Sequence, residues 1–305
     1  MHEPFISIII PTLNRPTLLR RAIASISLDI LNLIELIIVN DSSHAPTSNC
    51  ALAYLQTNPN IKFINNSGVR GPSGARNFGA INSNGKFLLF LDDDDQFVCD
   101  YISNLLNYLR SSSDTQWGFA KILLLSEIVK NPNYKTKSVG QFIHLKDRPQ
   151  KHHLSGLGYG FWIRRSLFMS IGLLDIELIT NEDTELCVRL LSRKIYPHIY
   201  TDYGVIIDAT PKGRLHEQDS ITKTSSNQLR AKNFALILQK HHEFLKLNRQ
   251  LRNHLLMRQL KMLSKSGLNV KDLTIALKTS NPLLIMYFLS NCIMYSLRNW
   301  ARKHI

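Results

Sequence analysis

Four consecutive carboxylates directly follow a short apolar segment in the first third of the chain. The carboxylates are Asp92–Asp95, and the segment is Lys86–Leu91, in which every residue after the lysine is apolar. Such a run is typical of a strand that is buried on both faces of a sheet. Ligands bind at the carboxyl ends of the strands in open α/β sheets. The sequence therefore predicts an acidic cluster at the ligand-binding edge of an α/β fold.

The carboxylates of this acidic run repel one another, and the repulsion costs stability unless a cation lies nearby. Oxygen ligands favour Mg²⁺ or Mn²⁺, and Mg²⁺ usually keeps phosphate oxygens among its ligands. A solvated acidic loop is the alternative, because charge runs commonly lie on the surface. The position directly after a buried strand favours the cation site.

Strand-like and helix-like segments alternate along the first two hundred residues. Strands are predicted at 5–11, 35–39, 61–64, 86–91, 117–125 and 158–163, with one or two more within 196–209. Helices are predicted from 14–17 onward, at 75–81 and at 182–191, and loops at 66–74 and 131–150. This alternation predicts a Rossmann-like α/β domain, with a mostly parallel sheet and helices on both faces. The glycines within 158–163 predict that another group approaches the backbone there.

The charge of the chain is unevenly distributed. The net charge is +14, and residues 226–305 contain 14 Lys and Arg against 2 Asp and Glu, which leaves +2 for residues 1–225. Residues 228–265 place apolar side chains between basic ones without proline or glycine, which predicts one long helix or two with a break. We therefore expect an α/β domain at 1–222 and a basic, α-helical C-terminal region at 223–305.

A basic helical region suits an anionic membrane surface, nucleic acid or an acidic partner. Tyr295, Trp300 and Arg302 belong to an aromatic and basic end that suits a membrane interface, whereas the apolar run 283–289 is too short to span a bilayer. A helical cap on the first domain and a homo-oligomer interface are the alternatives. Four scattered cysteines and a start without a signal-peptide pattern favour a cytoplasmic location.

Six short motifs follow one another between about residues 5 and 220. They are Ile8–Asn14, Ile38–Ser43, the glycine-containing segment Asn66–Gly79, Phe90–Asp95, Asn181–Arg189 and Arg214–Glu217. This series resembles the family 2 glycosyltransferases of the GT-A fold. The resemblance implies an inverting enzyme that moves a sugar from a nucleoside-diphosphate sugar, expected to be UDP-linked, to a hydroxyl of a glycan or lipid-linked acceptor. Surface glycan or polysaccharide synthesis, peripheral on the inner face of the cell membrane, fits such an activity.

The resemblance also implies roles for individual residues. Asp94 and His216 would bind Mn²⁺ or Mg²⁺, and Asp183 would be the general base for the acceptor hydroxyl. The residues that bind the nucleotide sugar would be Pro11, Thr12, Asn14, Asp41, Arg76, Asp92 and Asp93. This chain has Leu13 where relatives often stack an aromatic side chain on the base.

Several of these residues also suit structural roles. Asp41 suits a turn, and Arg76 suits an ion pair with the acidic run. Asp183 is favourable in the first turn of a helix, where its charge complements the helix dipole. His216 alone would be an ordinary histidine. Both kinds of role are therefore open for each residue.

Two other classes of protein compete with the glycosyltransferase. A nucleotidyltransferase would need a glycine-rich phosphate loop after the first strand, and Pro11–Arg15 does not supply one. A basic nucleic-acid-binding protein would leave the acidic strand end unexplained, and no recognised nucleic-acid motif accompanies the basic helices. The motifs favour the glycosyltransferase, without nucleic acid as a partner.

Overall fold

The computed structural model describes residues 3–42, 58–130, 139–208 and 225–266, together with the single positions Pro282, Met286 and Ser290. The chain divides into two compact units. The first comprises Met1–Lys146, Ser155–Leu190 and Lys194–Gln218, and the second comprises Asp147–Leu154, Leu191–Arg193 and Asp219–Ile305. Each unit is described below by itself.

Nine strands and nine α-helices occur in the described residues. The strands are β1 Ile6–Thr12, β2 Ile34–Asn40, β3 Ile61–Asn65, β4 Phe87–Phe90, β5 Asp95–Phe97, β6 Trp117–Leu124, β7 Phe142–His144, β8 Trp162–Arg164 and β9 His198–Ile207. The helices are α1 Pro16–Ala24, α2 Pro72–Ile81, α3 Tyr101–Ser111, α4 Leu125–Lys130, α5 Arg165–Ser170, α6 Glu182–Ser192, α7 Asn227–Lys240, α8 His242–Leu247 and α9 Arg249–Ser266. Short 3₁₀ helices lie at Leu28–Ile30 and Lys151–His153.

All nine strands form one sheet in the order β3-β2-β1-β4-β8-β6-β9-β5, and β7 pairs with β9. Strands β3, β2, β1 and β4 are mutually parallel. Strand β8 is antiparallel to both β4 and β6, and β6 is parallel to β9. The parallel half brings the carboxyl ends of β1, β2 and β4 to one edge, where Thr12 lies opposite Asn40 and the acidic run begins.

The parallel half of the sheet is buried because helices cover its faces. Every residue of β2 and of β4 is buried, as a doubly covered sheet requires. Helix α1 contributes Leu18, Leu19, Ala22 and Ile23, whose spacing places them on one face of the helix. The predicted mixed α/β architecture with a central sheet is confirmed.

The structure differs from the predictions in several places, and the segment predicted as a strand at 158–163 is a turn followed by β8 at Trp162–Arg164. Helix α2 begins at Pro72 rather than residue 75, because proline suits the first helical turn and Gly71, with φ of 102°, precedes it. Strand β5 begins at the last residue of the acidic run and pairs with β9, which the polar sequence did not suggest. The predicted loop 131–150 contains β7, and its residues 131–138 lie outside the described residues.

In the second unit, the segment predicted as one long helix or two with a break forms three helices, α7 to α9. Their apolar side chains are largely buried, including Phe234, Ile237, Leu245, Leu251, Leu255 and Leu260. The apolar stripe that the sequence revealed is therefore used within this unit, with basic residues on the remaining surface. No helix in the described part of the chain is long and apolar enough to cross a membrane.

Candidate functional site

The end of β1 holds the acidic run in place from one side. Thr12 Oγ1 donates a hydrogen bond to Asp93 Oδ2 at 2.8 Å, and Arg15 Nη1 donates to Asp93 Oδ1 at 2.9 Å. Burial raises the pKa of Asp93 to about 6, and the opposing charge of Arg15 limits the rise. Asp93 and Thr12 thus bind each other within the protein, and their contact with a nucleotide sugar stays a prediction.

The other three carboxylates of the run converge on one point. Oxygen atoms of Asp92, Asp94 and Asp95 lie within 4.8 Å of one another. The pKa of Asp95 is raised well above its ordinary value, first by burial and then by the charges of Asp92 and Asp94. A divalent cation would relieve this repulsion, and an all-carboxylate donor set suits Mg²⁺ or Mn²⁺. The structure therefore adds Asp95 to the candidate ligands, a role that the motif analysis did not assign to it.

Arg21 holds the same turn from a second direction. Its Nη2 donates to the carbonyl oxygen of Asp94 at 2.7 Å, and its Nη1 lies 3.1 Å from Asp208 Oδ2. The sequence marks Arg21 only as a basic residue in the last turn of α1, where a positive charge complements the helix dipole. Its role in fixing the acidic turn depends on tertiary contacts and was not predicted.

Arg76 connects the acidic run to the start of α6. Its Nη2 lies 2.5 Å from Asp92 Oδ1, and its Nη1 lies 3.0 Å from Glu182 Oε1. Burial alone would lower the pKa of Arg76, but the carboxylates of Asp92 and Glu182 raise it, so the guanidinium stays charged. The ion pair between Arg76 and the acidic run, which the sequence analysis considered, is therefore present. Contact of Arg76 with a nucleotide stays a prediction.

Glu182 and Asp183 begin α6 beside this arginine. Burial and the neighbouring Asp183 raise the pKa of Glu182 to about 7. Asp183 is half-buried, and its Oδ1 accepts hydrogen bonds from the backbone N–H of Thr184 at 2.5 Å and from Thr184 Oγ1 at 3.2 Å. Asp183 thus has the structural role predicted for it, as an acidic residue in the first turn of a helix. Asp183 follows Glu182 in the chain, and its charge also helps to raise the pKa of Arg76, so it lies close to the ion pairs that connect Glu182 to Asp92.

Asp41 organises the loop before α2. Its Oδ1 accepts from Asn66 Nδ2 at 2.7 Å, and its Oδ2 accepts from the Gly71 N–H at 2.8 Å. Arg70 Nη1 also donates to the Asp41 carbonyl at 2.7 Å. Asp41 therefore has the structural role in a turn that its residue type suggested. Its carboxylate has further lone pairs that could accept a hydrogen bond from a base, and that contact stays a prediction.

Two other predicted residues, Pro11 and Asn14, lie at or near the carboxyl end of β1, and a third lies outside the described residues. Pro11 is half-buried in β1, and Asn14 lies just beyond that strand with φ of 55°. Leu13 between them is 36% exposed. His216 lies outside the described residues.

A second candidate metal cluster lies in the second unit. Asp147, His152 and His153 place ligand atoms within 4.8 Å of one another. However, His153 Nδ1 accepts a hydrogen bond from the Gln150 N–H at 3.1 Å, so the proton of its neutral ring sits on Nε2, 3.3 Å from Asp147 Oδ1. A metal at Nε2 would require that proton to leave. The geometry therefore favours a histidine–aspartate pair over a metal site.

Comparisons with known proteins agree with the motifs. The family model described as Glycosyl transferase family 2 matches residues 7–172. A GalNAc(5)-diNAcBac-PP-undecaprenol beta-1,3-glucosyltransferase of Campylobacter jejuni is 36% identical over 104 residues, which are 34% of each chain. An uncharacterized glycosyltransferase of Rickettsia typhi is 28% identical over 232 residues, which cover 75% of this chain and 69% of that protein. The chain thus matches about a third of the Campylobacter protein's length.

Solved structures share the fold. The crystal structure of Staphylococcus aureus TarS 1-349 in complex with UDP-GlcNAc matches with a TM-score of 0.59 and 14% identity, over 95% of this chain and 89% of that one. The complex of the same protein with UDP matches with a TM-score of 0.54 and 15% identity, over 99% and 92% of the two chains. At this identity the likeness establishes the architecture, and it confirms the fold class predicted from the sequence.

Proposed function

We propose that this chain, which belongs to glycosyl transferase family 2, is an inverting enzyme that transfers a sugar from a UDP-sugar to an acceptor hydroxyl. The observation that supports this most strongly is the network from Asp92 through Arg76 to Glu182. It connects the converging carboxylates to the start of α6, which carries the candidate base Asp183, and this supports a single site at the edge where such sheets bind ligands.

The proposed reaction is a direct displacement at the anomeric carbon. The acceptor oxygen forms a bond to that carbon while the bond to the diphosphate breaks, and Asp183 takes the proton of the acceptor hydroxyl. Arg76 keeps Glu182 and Asp92 in place through its two ion pairs. Asp94, with Asp92 and Asp95, would hold Mn²⁺ or Mg²⁺, which neutralises charge on the leaving diphosphate. His216 would join these ligands, as the family resemblance implies.

The donor is proposed to be UDP-linked because solved structures of the same fold bind UDP and UDP-GlcNAc. The residues Pro11, Thr12, Asn14 and Asp41 lie at or beyond the carboxyl ends of β1 and β2, where a nucleotide would be bound in such a sheet. Leu13 offers an apolar surface for the base in place of an aromatic ring.

The acceptor is proposed to be a lipid-linked or surface glycan, as the name of the Campylobacter relative suggests. The basic C-terminal region would then dock the enzyme on an anionic membrane. Because the apolar stripe of α7 to α9 is buried, this contact would rely on exposed basic residues, which include Lys232, Lys246, Arg249, Arg258 and Lys261. Sedimentation with anionic vesicles, reduced by salt and by the double substitution Lys246→Glu/Arg249→Glu, tests this part of the proposal.

The main experiment measures nucleotide binding linked to metal. We expect UDP and UDP-sugars to raise the melting temperature in the presence of Mn²⁺ and much less in chelator, because ligands that bind the folded state stabilise it. Asp94→Asn should abolish the Mn²⁺-dependent part, whereas Asp114→Asn, at an exposed position, should retain it. An equal response of the two variants would contradict the metal assignment, and the absence of any response to UDP-sugars would contradict the donor.

The transfer itself is tested on the purified full chain with radiolabelled UDP-sugars and lipid-linked acceptors. The expected product has the anomeric configuration opposite to that of the donor, which its proton coupling constants report. Retained configuration would contradict direct displacement.

A further inference from the structure

A glycine-rich loop lies between the acidic cluster and Asp183. A Cβ added at Gly158 would lie 2.9 Å from Asp92 Oδ2 and 3.1 Å from Asp95 Oδ2, and one added at Gly156 would lie 3.4 Å from Asp183 Oδ2. The loop backbone therefore touches the carboxylates on both sides of the site. This close approach explains the glycines that the sequence analysis singled out.

Tyr159 is the side chain that this loop presents. Two of its ring carbons, Cδ1 and Cε1, lie 3.3 Å from the position that a Cβ of Gly156 would occupy, the same position that lies 3.4 Å from Asp183 Oδ2. The ring is therefore next to the candidate base, and Tyr159 is 37% exposed. An exposed tyrosine beside a candidate catalytic carboxylate is a suitable contact for a substrate.

The loop holds Tyr159 firmly through its backbone. The Tyr159 N–H donates to the Gly156 carbonyl at 3.1 Å, and its own carbonyl accepts from the Ala120 N–H of β6 at 2.9 Å. The buried Tyr101 hydroxyl donates to the Gly160 carbonyl at 2.8 Å. The ring is thus carried by a segment that is hydrogen-bonded to strand β6 and to helix α3, which suits a preorganised binding surface.

Whether Tyr159 contacts the donor or the acceptor depends on which side of the candidate active site it lies. In a direct displacement the leaving diphosphate lies on the side of the acidic cluster, and the entering hydroxyl lies beside its base, Asp183. Tyr159 flanks Asp183, whereas Gly158 faces Asp92 and Asp95. We therefore place the ring on the side of the entering acceptor.

We propose that Tyr159 is the platform on which the ring of a saccharide acceptor packs, so that the acceptor terminates in a pyranose and not in an acyclic polyol. A pyranose presents a flat C–H face that packs on an aromatic ring, while its hydroxyls stay available for polar contacts. An acyclic polyol has no such face. This inference rests on the proposed glycosyltransferase function and names the acceptor class of the same site.

The test uses the full chain with UDP and Mg²⁺, and the probes are methyl glycosides of glucose, N-acetylglucosamine and N-acetylgalactosamine. Saturation-transfer NMR reports which probe protons contact the protein. We expect at least one glycoside to show saturation on its C–H face, with glycerol and ribitol showing none. Tyr159→Ala should weaken glycoside binding at least tenfold, whereas Tyr159→Phe should keep it.

Gly156→Ala gives an independent variant, since its methyl would enter between the ring and Asp183. It should also weaken glycoside binding. UDP affinity, measured on every variant by calorimetry, shows that the nucleotide site is folded. Equal glycoside affinity of the wild type and Tyr159→Ala would overturn the inference, and so would a wild type that binds UDP but no glycoside, or one that binds ribitol as well. Failure of the wild type to bind UDP would instead contradict the proposed function.

Discussion

Arg76 and Glu182 form a buried ion pair, with 3.0 Å between Nη1 and Oε1, that joins α2 to the start of α6. The same guanidinium binds Asp92 at the end of the acidic strand. Two segments that are about ninety residues apart in the chain are thereby fixed to one cation. The distance between the candidate metal ligands and the candidate base therefore depends on Arg76.

Arg76→Met should strongly destabilise the protein at pH 8. It leaves the carboxylates of Asp92 and Glu182 without their cation, and removal of one partner of a buried pair costs about 3–5 kcal/mol. Arg70→Met is the matched control, because Arg70 is half exposed and its pair with Asp41 is long, at 3.9 Å. Urea unfolding gives the free energy of unfolding of the wild type and of both variants, and hence the stability that each substitution removes. A loss no larger than that of the control would contradict the role given to Arg76.

Glu182 should make the protein less stable as the pH rises from about 4.5 to about 7. Its pKa of about 7 in the folded protein exceeds the ordinary value of 4.5. Within that window the folded state keeps a proton that the unfolded chain releases, so the stabilisation is complete below the unfolded pKa and is lost by pH 7. Glu182→Gln should make the decline in melting temperature shallower, and Glu177→Gln, at an exposed position, should not. A decline of unchanged slope in Glu182→Gln would show that Glu182 does not titrate there.

Much of the fold could be predicted because its signals are local. The buried strands β1, β2 and β4 are continuous apolar runs, and proline at residue 16 marks the start of α1. Strand β5 could not be predicted, because Asp95 and Gln96 are polar and form a strand only by pairing with β9. Its stability depends on a partner more than one hundred residues away in the chain.

The candidate site divides in the same way. The order of Asp92 to Asp95 and the Glu182–Asp183 pair were visible as motifs. Which carboxylates converge was not visible, because that depends on tertiary contacts such as the hydrogen bonds that Thr12 and Arg15 donate to Asp93. The role of Arg21 likewise depends on contacts between separate elements.

Arg21→Met should weaken Mn²⁺ binding by roughly 10–100-fold, the usual range for residues that orient metal ligands. Arg21 holds the Asp94 carbonyl and Asp208, and its loss would release the turn that directs the carboxylates. The exposed neighbour Arg20 supplies the control variant Arg20→Met. Titration of free Mn²⁺ by electron paramagnetic resonance, with UDP present, gives the affinity without any turnover. Identical Mn²⁺ affinities for the two variants would remove Arg21 from the site.

Asp183→Asn should lower turnover by about 10²–10⁴-fold and leave UDP-sugar affinity nearly unchanged, because the amide keeps the shape of the carboxylate but cannot take the proton. Asp183 accepts hydrogen bonds from Thr184, so its contribution to the helix start needs a separate control. Thr184→Val removes the side-chain donor, keeps the backbone donor and leaves the Asp183 carboxylate in place. If Asp183 serves only the helix, Asp183→Asn should lose stability while its turnover per folded molecule stays at the wild-type value. If it is the base, turnover per folded molecule should fall whatever the change in melting temperature, and Thr184→Val should retain most of the activity.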